Sequence, residues 1–258
     1  MAIKIGVAGS SGLGNEKGVQ HAKDLGLDSL EVEFTYGVNM SNETAKKVGE
    51  LAKKLGISLS VHAPYYINLN STDKKKRKES KQRILQSCER AHYLHAKYVV
   101  FHAGFYGKDD PEKTYQAIKE GILELLSEIK KRKWDVYLAP ETTGKVNVFG
   151  SLKEILRLVK ETKCKCCIDF AHLYAKSNGK LTYNEMCKEI KHLGHIHAHF
   201  SGINYTGKGE RNHELTNPEE IKKLLEALKK NHINDICIIN ESPNPFGDAV
   251  KTKNQMQS

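Results

Sequence analysis

Residues 195 to 213, HIHAHFSGINYTGKGERNH, place four histidines in nineteen positions, and three of them, His195, His197 and His199, are spaced by two. Imidazole serves as a metal ligand or as an acid–base group near neutral pH. Six further residues of ligand type stand at or near the ends of apolar runs: His62, His102, Glu141, Asp169, His172 and Glu241. Taken singly, each has an ordinary explanation, since a histidine at a strand end is usually hydrogen-bonded and a lone carboxylate usually caps the next helix. Taken together they differ. Carboxylates after runs such as "IIN" before Glu241 and "CCI" before Asp169 are costly to bury without compensating charge, and a cluster of divalent cations supplies it. Imidazole nitrogen with carboxylate oxygen and no thiolate suits Zn, Mn or Fe in a hydrolytic site better than a structural zinc finger. Within 195–199 the period of two puts all three histidines on one strand face, so spacing alone does not choose among them.

The elements that must position these groups are eight short apolar runs: 3–9, 29–34, 58–64, 97–104, 135–141, 164–170, 194–202 and 235–243. Charged amphipathic stretches lie between them, among them "NETAKKVGELAKKLG" and "NPEEIKKLLEALKKN". Their periodicity and their Asn, Ser or Pro starts predict helices. Eight strands with helical crossovers over this length predict an α/β TIM (β/α)8 barrel, one domain spanning 1–258. In a barrel the ligand-type residues fall at the C-terminal strand ends, so six consecutive strands aim at one mouth. A doubly wound open sheet is the runner-up. The segment "VAGSSGLG", with Glu31 or Glu33 about twenty residues on, imitates a dinucleotide fingerprint, but its glycines follow G-x-x-G-x-G rather than G-x-G-x-x-G.

The chain carries 41 Lys and Arg against 31 Asp and Glu, a formal charge of +10 that favours polyanionic partners. The run "DKKKRKESKQR" (73–83) reads as the solvated first turns of a helix. Six scattered cysteines, including "CKCC" at 164–167, read as buried core thiols of a reduced, cytoplasmic protein. No apolar run is long enough to span a membrane.

Several stretches resemble the endonuclease IV family of metal-dependent abasic-site endonucleases: "SVHAPYYINL" (60–69), "VVFHAGFYG" (99–107), "PETTG" (140–144), "CIDFAHLYA" (167–175), "HAHFSG" to "GERNH" (197–213) and "INESP" (239–243). They occur in family order over nearly the whole chain. The resemblance implies a di- or trinuclear zinc cluster, with Mn or Fe as alternatives. One metal would lie on His62, His102 and Glu141, and a second on Glu141, Asp169, His197 and Glu241. A third would lie on His172, His213 and an aspartate two residues before His213. That position is Arg211 here, so Glu210, Glu214 or water must take its place, with Glu210 preferred. The same resemblance makes Glu141 the catalytic bridge, with His199 a pocket wall and His195 deeper in the barrel with a core partner. Tyr65 and Tyr66 would contact damaged duplex DNA, with Lys208 and Arg211 on phosphates, in a monomer. The family's inserting arginine after the second strand has no counterpart in "TYGVNM", where Tyr36 is the nearest large side chain. The implied reaction is hydrolysis of the phosphodiester 5′ to an abasic sugar. A two-metal sugar isomerase or epimerase and a barrel that binds DNA without cutting are the alternatives.

Overall fold

Each of the eight apolar runs becomes a parallel strand, as β-branched residues buried on both faces favour. The computed structural model describes residues 3–256. The barrel strands are β1 (Ile3–Ala8), β2 (Ser29–Glu33), β3 (Ser58–His62), β4 (Tyr98–Phe101), β5 (Tyr137–Pro140), β6 (Cys167–Asp169), β7 (Ile196–Phe200) and β10 (Ile236–Asn240). They pair in the order β5-β4-β3-β2-β1-β10-β7-β6. A parallel bridge between Glu141 and Cys167, with the Thr142 N–H donating to the Cys167 carbonyl at 3.1 Å, draws the two outer strands together into a nearly closed ring. An open doubly wound sheet is thereby excluded, and with it the dinucleotide reading of residues 7–14.

The crossovers are α1 (Asn15–Asp24), α2 (Asn42–Leu55), α3 (Lys74–Tyr93), α4 (Pro111–Lys131), α5 (Leu152–Thr162), the pair α6 (Phe170–Lys176) and α7 (Tyr183–Ile190), α8 (Pro218–Lys230) and α9 (Pro245–Gln255). Local chemistry sets their starts. The Asp73 carboxylate accepts the Lys75 N–H at 2.8 Å, so the basic run opens α3. Asn217 accepts the Glu219 N–H at 2.9 Å, with Pro218 in the first turn of α8. All six cysteines are free and buried. Among the described residues no helix is long and apolar enough to cross a membrane.

One element was not foreseen. The segment after the seventh strand is an antiparallel hairpin, β8 (Gly202–Thr206) with β9 (Gly209–Glu214), packed over α6 beside the mouth.

Candidate metal centre

Alternation along the strands produces two layers inside the ring. Tyr98, Val100, Ala139 and Cys167 form a small apolar cluster separate from the main core between sheet and helices. One or two steps further along the same strand faces stand His102, Glu141 and Asp169, and the inward faces of β3, β7 and β10 lead likewise to His62, His199 and Glu241. The lower layer fills the lumen, and the upper layer lines the floor of the mouth.

Among the described residues, three groups of ligand atoms that include histidine converge there: His62, His102 and Glu141; Glu141, Asp169, His199 and Glu241; and His172, Glu210 and His213; a further carboxylate group, Glu31, Glu33 and Glu241, shares Glu241 with the second. Glu141 belongs to two of them. Its Oε2 lies 3.2 Å from His62 Nε2 and 3.0 Å from His102 Nε2. Its Oε1 lies 3.2 Å from His172 Nδ1 and 3.4 Å from His199 Nδ1. Asp169 has a double duty, for its Oδ1 caps α6 by accepting the His172 N–H at 2.7 Å while Oδ2 is left over. Glu141 Oε1, Asp169 Oδ2 and His199 Nδ1 are all buried with no hydrogen-bond partner. Orphaned oxygens and nitrogens from different strands, all aimed at a common space, fit divalent cations far better than they fit one another. Two imidazoles are also oriented from behind. His62 Nδ1 donates to the Ala63 carbonyl at 2.7 Å and His172 Nδ1 to the Thr142 carbonyl at 3.0 Å, which leaves each Nε2 lone pair facing its group.

The hairpin resolves the position occupied by Arg211. Ile203 pairs with His213 and Asn204 with Asn212, but Tyr205 pairs with Glu210, so a bulge leaves Arg211 as the extra residue. A bulge flips the side of every residue beyond it. Glu210, three residues before His213, therefore shares its face, and its Oε2 lies 3.5 Å from His172 Nε2. Arg211 and Glu214 are exposed. The hairpin is held by the Glu210 N–H donating to the Gly144 carbonyl at 3.0 Å and the Val146 N–H to the Lys208 carbonyl at 3.1 Å. A Cβ on Gly144 would lie 2.5 Å from that of Glu210, which is why "PETTG" ends in glycine.

Electrostatics reflect crowded, buried charge. Burial alone would lower His62 and His172, but Glu141 and Glu33 beside the first, and Asp169 and Glu141 beside the second, raise both to about 10. Burial raises Asp169 to about 6. It also raises Glu33, near Glu31 and Glu241, to about 8. Against the same burial, the charges of His102 and His199 hold Glu141 well below the usual carboxylate range, and His199 holds Glu241 at about 2.

One residue of the expected ligand set lies elsewhere. His197 is not with Asp169 and Glu241; it sits one layer down, stacked on Tyr98 with its Nε2 2.8 Å from Glu31. His199 takes the place assigned to it, because the register pairs His199 with Asp169 and His197 with Cys167. His195 is not deep in the core either: its Nδ1 pairs with Asp235 at 2.7 Å at the start of β7, and its side chain is 35% exposed. Tyr65 and Tyr66 are exposed in the loop after β3, beside a mouth cavity of about 320 Å³. Lys208 and Arg211 are exposed on the hairpin, and Tyr36, 81% exposed, lies in the loop after β2. A larger recess of about 480 Å³ at the opposite end of the barrel, bordered by Lys4, Lys53 and Lys97, has no convergent carboxylates. In the sequence Glu31 and Glu33 stand out only within a false dinucleotide pattern; their period-two spacing on a barrel strand was the available signal.

Residues 19–256 match the family model described as "xylose isomerase-like TIM barrel". The chain is similar to an uncharacterized protein of Methanocaldococcus jannaschii, at 37% identity over 91% of this chain and 89% of that one. It is also similar to a probable endonuclease 4 of Metamycoplasma arthritidis, at 27% identity over 74% of each chain. Among solved structures, endonuclease IV from Thermus thermophilus superposes with a TM-score of 0.71 at 20% identity, over 98% of this chain and 99% of that one. An L-ribulose 3-epimerase superposes with a TM-score of 0.75 at 13% identity, over 100% and 94%.

Proposed function

Because the chain belongs to the xylose isomerase-like TIM barrel family, we propose that it is a metal-dependent endonuclease hydrolysing the phosphodiester 5′ to abasic sites in duplex DNA, with trimming of blocked 3′ ends as a related activity. The observation that carries this reading is the presence of three ligand groups at one mouth, two of them joined through Glu141. A sugar isomerase or epimerase would use Glu141, Asp169, His199 and Glu241 and leave His62, His102, His172, Glu210 and His213 idle. Names at low identity, probable endonuclease 4 among them, support the same choice.

In this reading His62, His102 and Glu141 hold one zinc, Glu141, Asp169, His199 and Glu241 a second, and His172, Glu210 and His213 a third, with Mn or Fe as alternatives. Bound there, the cations would lower the pKa of the attacking water and neutralise the leaving oxygen. Glu141 sets the spacing between two of these positions. The +10 charge supplies sequence-independent, salt-dependent affinity for phosphates. Tyr65 and Tyr66 supply faces on which unstacked bases or the extruded nucleotide's neighbours rest, and a nucleotide without a base costs least to extrude.

Two predictions arise at this point. Glu210→Gln loses one metal equivalent after dialysis, counted by atomic absorption, while Arg211→Asp in the Glu210→Gln background fails to restore it, because the bulge turns position 211 outward. Recovery of the equivalent by Arg211→Asp would overturn the bulge assignment. In the second, Tyr65→Ala together with Tyr66→Ala weakens binding to an abasic duplex by about 1–3 kcal/mol per stacked base. Lys208→Ala and Arg211→Ala each flatten the plot of log affinity against log salt by about 0.9. Titrations at several salt concentrations separate these effects.

The reading as a whole is tested by offering metal-loaded protein an abasic duplex and, separately, a ketohexose. Incision of the first with no epimerisation of the second is expected; epimerisation without incision would transfer the protein to the sugar-converting branch.

A further inference from the structure

Glu31, in the middle of β2, is wholly buried in the lumen directly beneath the mouth. Ser60 Oγ donates to its Oε2 at 2.6 Å, and His197 Nε2 lies 2.8 Å from the same oxygen. His199 Nε2 lies 2.8 Å from its Oε1, bent away from straight hydrogen-bond alignment. Two lone pairs repel at that distance, so a proton lies between the atoms. A ring nitrogen that holds a cation cannot also carry the proton, so with Nδ1 turned to Glu141 and Glu241 a neutral His199 ring carries its proton on Nε2, beside Glu31. His197 in turn is clamped against Tyr98, with ring centroids 5.0 Å apart and planes within 14°. The other face of His199 presents Nδ1 to Glu241 Oε1 at 3.3 Å and Glu141 Oε1 at 3.4 Å.

We propose that Glu31 is a positioning residue that keeps the proton on His199 Nε2 and thereby presents the Nδ1 lone pair to the cation shared by Glu141, Asp169, His199 and Glu241, with His197, Tyr98 and Ser60 fixing Glu31 itself. The inference rests on the metal reading above and not on the DNA substrate. A carboxylate behind a ligating imidazole fixes its tautomer and orientation and raises its basicity. The arrangement also gives the strand's two inward histidines separate tasks, His199 facing the cation and His197 bracing the group behind it.

Wild-type protein tests this without any substitution. In the zinc-loaded, ¹⁵N-labelled chain, His199 should show a protonated Nε2 and a metal-shifted Nδ1. A metal-shifted Nε2 would overturn the assignment. Glu31→Gln can satisfy only part of this donor set and should weaken one metal equivalent by about 10–100-fold in chelator competition, leaving the others at wild-type affinity. His197→Phe keeps the ring on Tyr98 and should weaken the same equivalent by a smaller factor. Unchanged affinity in Glu31→Gln, or loss of all equivalents together with the fold, would each contradict a positioning role. Substrate failure is separable: selective metal loss in a protein that never cuts abasic DNA keeps this inference and removes the nuclease, whereas cutting with Glu31 dispensable for metal does the reverse.

Discussion

Glu141→Gln is expected to reduce incision of an abasic duplex by about 10³-fold or more, roughly 4 kcal/mol of transition-state stabilisation, while the protein still binds the duplex. The size follows from position. Glu141 is 1% exposed and is shared by two ligand groups, with its two oxygens facing His62 and His102 on one side and His172 and His199 on the other. Glutamine keeps the volume but removes the charge and puts an amide N–H₂ where a second acceptor is needed, so the two proposed cation sites would lose the carboxylate they share. Binding is expected to survive because, in the proposed function, it draws on the positive field and the exposed rim. Single-turnover incision and filter binding on the same preparation separate the two quantities, and near-wild-type incision by a folded Glu141→Gln protein would remove Glu141 from the reaction.

Metal removal should produce the largest change in stability. At a thousandfold excess over its dissociation constant, one ligand adds about 4 kcal/mol. For a chain of this size that corresponds to a melting-temperature difference of roughly 8–16 °C between zinc-loaded and chelator-treated protein. The difference should widen from about pH 6.5 toward pH 10. His62 and His172 are raised to about 10 in the metal-free fold, so their stabilising contribution is complete below the ordinary histidine range and is lost as pH climbs through 10. Glu33, raised to about 8, acts in the same direction up to that pH, since deprotonation adds uncompensated buried charge, whereas Asp169, raised to about 6, has already lost its proton at pH 6.5. Metal affinity moves oppositely, because ligands must lose their protons to bind. Calorimetry of both forms at pH 6.5, 8 and 9.5 reads the gap; a gap that narrows with pH would mean the imidazoles are not the groups in competition with metal.

Much of this was legible in the chain itself. The eight strands announced themselves because each is a short β-branched or apolar run between amphipathic helices, and the groups at their C-terminal ends had to meet once the ring closed. The hairpin was not legible, since "GINYTGKGERNHE" offers only Ile203 and Tyr205 as alternating large side chains and draws its order from backbone bonds to residues 144–146. Depth was invisible for a different reason. A period of two puts His197 and His199 on the same inward face, and only the pairing of β7 with β6 tells which is level with Asp169. The same logic hid Glu31, whose partners lie on β3 and β7, 29 and more than 160 positions away. Arg211 looked like a lost ligand because the family spacing places a carboxylate two residues before His213, whereas one bulged residue carries Glu210, three before it, to the same face.

The most direct measurement is incision of a duplex carrying one tetrahydrofuran abasic mimic, beside an undamaged duplex, by metal-loaded wild-type protein, with the product ends identified. The mimic cannot undergo β-elimination, so only hydrolysis registers. A nick on the 5′ side of the mimic that leaves a 3′-hydroxyl, absent from the undamaged strand, is the predicted result; an intact mimic duplex after incubation with protein that has retained its metal would contradict the nuclease assignment.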